Sequence, residues 1–356
     1  MGKGAGVVER RENGLVDITK VVCALIVVAG HCYLADVPGW EWYTDLVTLA
    51  VQIFFIFSGY FLVVAHTLEQ ENKAMGYVRH LFGMTMVWAV LYFISNLLLT
   101  DKSSTVWVYD FINLWTEFFS SFNSGHLWYL QNMLIVVVLL HSMKKTSFSW
   151  KETLVLFVIA TVFYGRITRA VLGMAVGICL AGIDREREKG ASVASNINGI
   201  SNANAASNAN AACCVGKSKS LGMFFIGVGT LAIAGGIVWL GNDNAAVTGI
   251  MTNFIINMAS ILLAYAALHI RMPAGKVNYV YIRKQSTLIY LVHLLLVPFG
   301  AKVMMKLPVQ GSWSGEKGLA WCLCLTAIVT VGSIVFGAIV IALAKNEKFT
   351  WLKKLY

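Results

Sequence analysis

The sequence runs to 356 residues, of which 58% are hydrophobic and only 13% charged, about half the charge density of soluble domains. A net charge of +10 would point to nucleic acid in a soluble protein. Here the basic residues lie in short segments beside apolar runs, where they set membrane orientation, so composition excludes both a soluble globular domain and a nucleic-acid partner.

Leu46 to Ala65 and Leu221 to Leu240 each run 20 residues without Asp, Glu, Lys or Arg. About 20 apolar residues cross a hydrocarbon core, and continuous apolarity selects helices over the alternating strands of a barrel. In chain order the pattern predicts spans near 16–35, 46–65, 81–99, 127–143, 153–165, 170–183, 221–240, 247–268, 287–301 and 319–344. The expected fold is therefore all-α, a polytopic transmembrane bundle of about ten spans in the cell membrane. The fifth and sixth could be one helix, but that would strand Arg166 and Arg169 in lipid. Counted as two, they leave 22 of the 28 Lys and Arg on the side shared by both termini, which is then cytoplasmic.

Three segments follow from this pattern. Residues 1–183 hold the first six spans and the candidate motifs. Residues 184–220 open on the charge run Asp184-Arg-Glu-Arg-Glu-Lys189 and continue as a Ser/Asn/Ala-rich tract, expected to be a disordered cytoplasmic linker. Residues 221–356 hold the last four spans and a short cytoplasmic tail.

Ionisable groups inside a span cost roughly 2.5–3.5 kcal/mol each and default to functional candidates. The first span carries Asp17, Lys20 and His31. Eleven residues separate Lys20 from His31, close to three turns, so the two share a face about 16 Å apart along the axis. Lys20 alone could snorkel to the interface, and His31 could cap polar groups at the outer end. The second span contains Phe54-Phe55-Ile-Phe-Ser58-Gly59-Tyr60, whose Ser and Gly also permit close helix approach. Tyr77-Val-Arg79-His80 opens the third span at the level of Lys20. His126-Leu-Trp128-Tyr129-Leu130 opens the fourth, where aromatics also form interfacial belts. Arg169 opens the sixth, and Tyr290-Leu-Val-His293 places a histidine inside the ninth. No cysteine spacing indicates a metal site or a disulfide framework.

Together these motifs resemble the acyltransferase-3 family of membrane acyltransferases. A Lys or Arg, ten residues, then His is typical of that family's first span. The Phe-Phe-x-x-Ser-Gly-Tyr segment and the two aromatic-histidine landmarks follow in its order, from residue 14 to about 300. Where the family often has a second Arg three residues after the first, this chain has Phe82 after Arg79. The resemblance implies an acyl-CoA-dependent O-acyltransferase. It would take an acyl group, acetyl in the first instance, from cytoplasmic acyl-CoA to a hydroxyl of a cell-envelope carbohydrate or lipid-linked acceptor. Acyl-CoA enters as co-substrate, with no permanently bound cofactor and no metal. His31 would be the catalytic residue, as general base or through an acyl-His intermediate. Lys20 and Arg79 would hold the coenzyme A phosphates, and Ser58, His126, Trp128, Tyr129, Arg169 and His293 would line the substrate site. The membrane domains of vancomycin-resistance serine racemases resemble the same family, which keeps open transport of a serine-like amino acid. A transporter needs a midplane pocket but no phosphate clamp, so the Lys20–Arg79 pairing weighs toward the enzyme.

Overall fold

The computed structural model describes residues 14–99, 127–163, 165–198, 245–270, 278–305 and 318–356. Among them are nine α-helices and no strand: α1 Gly14–His31, α2 Tyr43–Val64, α3 Glu71–Leu99, α4 Trp128–Ser142, α5 Trp150–Val162, α6 Arg166–Asn198, α7 Ala245–His269, α8 Tyr279–Met305 and α9 Leu319–Leu343. Two 3₁₀ helices, Leu34–Asp36 and Glu347–Leu355, follow α1 and α9. The expected span at 221–240, most of the linker and His126 lie outside the described residues. Six of the helices, α1, α2, α6, α7, α8 and α9, contain stretches long and apolar enough to cross a membrane, which makes this a multi-pass membrane protein.

The helices turn their polar side chains inward. Asp17, Gln52, Asn132, Gln285, Ser286 and His293 are buried, whereas Leu154, Val155 and Val158 of α5 and Val331, Val335 and Ile339 of α9 are exposed. That inversion suits a lipid surround, where outward apolar faces need no partner. Helix α2 sits at the centre, packed on α1, α6 and α7, and α8 packs on α1 and α9. The α2–α6 crossing depends on glycine. A Cβ at Gly59 would stand 2.2 Å from the Met174 carbonyl oxygen, and one at Gly177 would stand 2.0 Å from that of Ile56. With Gly173 they form a small-residue seam that brings the two backbones into contact.

Helices α5 and α6 are separate elements, because α5 ends at Val162 and Arg166 opens α6. Three helix ends lie about eight or more residues outside the predicted spans, each where residues beyond the apolar run find partners. Helix α3 begins at Glu71 instead of 81, since Ala74 is buried and Tyr77 and Val78 pack on the core. Helix α8 begins at Tyr279 instead of 287, with Arg283 drawn in by Asp17. Helix α6 runs to Asn198, through the charge run assigned to the linker. There Asp184 accepts from Tyr60 Oη at 2.9 Å and pairs with His269 Nε2 at 3.0 Å, and Arg185 pairs with Glu69. The first turn of that run is thus tied to α2 and α7. The C-terminal 3₁₀ helix closes the same end of the bundle. Its Leu352 and Leu355 are buried, and Leu355 O accepts from Trp88 Nε1 at 3.2 Å.

Candidate active site

Because α1 is unbroken from Gly14 to His31, Lys20 and His31 stay on one face, Lys20 against α2 and His31 against α8. At the far end of α1 the His31 ring lies 5.2 Å from that of His293 on α8. Tyr290, one turn earlier on α8, is 5.9 Å from His293, 5.6 Å from Phe54 of α2 and 5.3 Å from Tyr129 of α4. Ser58 Oγ and Tyr129 Oη are 3.1 Å apart. Ser58 donates its single proton to Phe54 O at 2.8 Å, so Tyr129 donates to Ser58. His293 Nδ1 stands 3.2 Å from the Ile289 carbonyl, which can only accept. That bond fixes Nδ1–H and leaves Nε2 as the lone-pair nitrogen of the neutral ring. Tyr92, buried on α3, donates to the Leu291 carbonyl and fixes this part of α8 from behind. Four landmarks scattered over the sequence thus converge: His31, the Phe54–Ser58 segment, Tyr129 and the Tyr290–His293 pair.

Toward the opposite end of α1 the Lys20 ammonium lies 4.9 Å from the Phe61 ring centroid and 5.8 Å from that of Phe57, a cation–π arrangement. Asp17, 1% exposed, accepts two hydrogen bonds of 2.9 Å from Arg283 Nε and Nη2. This bidentate pair joins the start of α1 to α8 and gives Asp17 a partner that the local sequence does not reveal. Arg79 is exposed on α3, which packs on α4, α8 and the C-terminal 3₁₀ helix, whereas Lys20 lies against α2. Arg283, within electrostatic range of Lys20, is the second cation at this corner.

Trp128 joins the cluster through Phe55, 6.2 Å away, and carries the Arg166 guanidinium 5.1 Å from its ring. Arg169, one turn on, donates from Nη1 to Thr48 Oγ1 at 3.3 Å. Sequence reasoning placed His31, Ser58, Trp128, Tyr129, Arg169 and His293 in the site. It missed Arg283 and Arg166 as site members, and it missed two amides, Gln52 and Asn132. Both are buried, and among the described residues the side-chain N and O of each have no hydrogen-bond partner, a cost of about 1–3 kcal/mol per group. The available signal was a carboxamide inside an apolar run, which hydropathy averages away.

A family model described as an acyltransferase domain, that of the acyltransferase-3 family, matches residues 13–342. No curated protein and no solved structure matches the chain.

Proposed function

This chain belongs to the acyltransferase-3 family of membrane acyltransferases, and we propose that it moves an acyl group, acetyl in the first instance, from cytoplasmic acyl-CoA to a hydroxyl of a cell-envelope carbohydrate. The observation that carries the reading is the His31–His293 ring pair, 5.2 Å apart, at the end of a wall formed by Phe54, Tyr129 and Tyr290. His31 is the general base. As the acceptor oxygen attacks the thioester carbonyl, His31 takes the hydroxyl proton. The carbon–sulfur bond then breaks, its electron pair leaves on the coenzyme A sulfur, and the imidazolium returns the proton to that thiolate. Carbonyls at the C-terminal end of α1 favour the positive charge that His31 carries between these steps. His293, Ser58 and Tyr129 hold the reacting groups in register.

Lys20 and Arg79 supply cations for the coenzyme A phosphates, with Arg283 beside Lys20 as a further fork. The offset of about 16 Å between Lys20 and His31 suits an extended pantetheine arm reaching from phosphates to thioester. The test uses purified protein in vesicles with radiolabelled acetyl-CoA and a carbohydrate fraction of the envelope. The expected result is label in the carbohydrate with equimolar coenzyme A release. Transport of serine across the same vesicles, with no coenzyme A released, overturns the proposal.

A further inference from the structure

The C-terminal 3₁₀ helix, Glu347–Leu355, has two unlike sides. In a 3₁₀ helix residues three apart eclipse one another, so Leu352 and Leu355 form one ridge and Lys348 and Trp351 a second. The leucine ridge is buried, and the helix packs on α3 and α9. Tyr356 extends the contact to α8, where the Lys284 ammonium lies 5.1 Å from its ring centroid. The second ridge is left open. Trp351 is 57% exposed, Lys348 and Lys353 are exposed, and Phe349 is 40% exposed where the helix kinks.

Position and charge say what covers the open side. Helix α9 ends at Leu343 with Ile339 and Leu343 exposed to lipid, so the segment that follows leaves the hydrocarbon there and lies at headgroup depth. Tryptophan favours that depth because its ring is amphipathic. Residues 345–356 hold four lysines against one acid, Glu347. Among the described residues no carboxylate pairs with Lys345, Lys348 or Lys353. Lysines beside an aromatic ring at this depth meet the phosphates of anionic lipid, each gaining about fivefold in local affinity.

The buried side leads to the reacting groups. Leu355 O accepts from Trp88 Nε1 at 3.2 Å, and the Trp88 and Tyr92 ring centroids are 6.1 Å apart. Tyr92 donates to the Leu291 carbonyl, inside the Tyr290–His293 turn of α8. Two leucines and the Trp88 bond make a small contact, and such a segment opens locally unless its outer side is also held.

We infer that this segment is an anchor for anionic lipid of the cytoplasmic leaflet, and that its lipid-held state keeps α3 against the turn of α8 that bears His293. The link to turnover rests on the acyl-transfer reading, whereas the lipid contact is measurable without catalysis.

The test uses the full-length protein in a cysteine-free background, with an environment-sensitive fluorophore on Thr350→Cys and nitroxide-bearing lipid as quencher. Vesicles are phosphatidylcholine alone or with phosphatidylglycerol. Phosphatidylglycerol is expected to raise quenching about twofold or more, and about 1 M salt, where the Debye length is about 3 Å, removes the gain. Lys348→Gln combined with Lys353→Gln removes it too. Lys145→Gln, at a lysine paired with Glu152, leaves it unchanged. Inorganic phosphate added to phosphatidylcholine vesicles does not reproduce it. Melting temperature and coenzyme A release, read on the same samples, both rise with phosphatidylglycerol in the parent protein. Trp88→Phe keeps the quenching gain but loses both rises, because its ring remains while the bond to Leu355 O is gone. Equal quenching in the two vesicles overturns the anchor, as does a double lysine variant that keeps the gain, or inorganic phosphate that reproduces it. A Trp88→Phe protein in which both rises persist overturns the link to α8. If Trp88→Phe does not fold, the double lysine variant decides the link, and rises that survive in it without the quenching gain overturn it. Protein that shows the quenching gain and the melting rise but releases no coenzyme A with any acceptor contradicts the acyl-transfer reading and leaves the anchor standing.

Discussion

Substituting Gly177 by Ala tests whether the α2–α6 seam positions the site. The new Cβ would stand 2.0 Å from Ile56 O and 2.6 Å from Tyr60 N, where an ordinary carbon–oxygen contact needs about 3.3 Å. Both obstacles are backbone, so no rotamer relieves them, and the helices must part locally by about 1.3 Å. Overpacking of this kind costs about 1–3 kcal/mol. Ser58 lies on α2 between Ile56 and Tyr60, and its 3.1 Å contact with Tyr129 would stretch past hydrogen-bond length. A displacement near 1 Å costs about 10²-fold in turnover when it reaches reacting groups. Gly182 is the matched control on the same helix, since a Cβ there meets nothing within 4 Å. Gly182→Ala should gain up to about 1 kcal/mol from helix propensity. The assay is thermal unfolding in detergent by tryptophan fluorescence, paired with coenzyme A release. Gly177→Ala should melt several degrees below wild type with most turnover lost, and Gly182→Ala at or above wild type. A Gly177→Ala protein as stable and active as Gly182→Ala would refute the close crossing.

Asp17→Asn keeps the shape of the carboxylate but halves its bond to Arg283; because Arg283 is 42% exposed and can rehydrate, the expected loss is about 1–2 kcal/mol, and a double-mutant cycle with Arg283→Gln should show the two losses coupled rather than additive. Hydrogen bonding to His66, then to Arg185, holds the Glu69 carboxyl below its ordinary value of 4.5. Its stabilisation is therefore present above that value and lost as pH falls below it. Melting curves of wild type and Glu69→Gln should differ at neutral pH and converge under acid; a constant gap would contradict the assignment. In a cysteine-free background, an impermeant thiol reagent should label Gly39→Cys but not Lys145→Cys in intact cells, and the reverse pattern would invert the proposed topology.

Helix positions were legible in the sequence because membrane spans announce themselves by length and apolarity, and nine of the predicted spans coincide with described helices. Their ends were not. Glu71, Tyr279 and the run from Asp184 are polar, and only tertiary partners such as Asp17 for Arg283 or His269 for Asp184 explain why the helices continue there. The site was legible where a motif carries several unusual residues together, as at Phe54–Ser58, Trp128–Tyr129 and Tyr290–His293. The Asp17–Arg283 pair escaped because 266 positions separate its members and either residue alone reads as an interfacial charge. Gln52 and Asn132 escaped because a single amide barely lowers the hydropathy of its span, and the absence of a partner shows only in three dimensions.

The central claim is that His31 takes the acceptor's proton during acyl transfer. Its most direct test is turnover of radiolabelled acetyl-CoA by purified His31→Gln, a substitution that keeps volume and hydrogen bonding but cannot shuttle a proton. Turnover should fall by about 10²- to 10⁴-fold, with acetyl-CoA binding unchanged because the cationic corner at Lys20 lies about 16 Å away along α1. Retention of most activity in His31→Gln, with its loss in His293→Gln, would contradict the claim and move the base to α8.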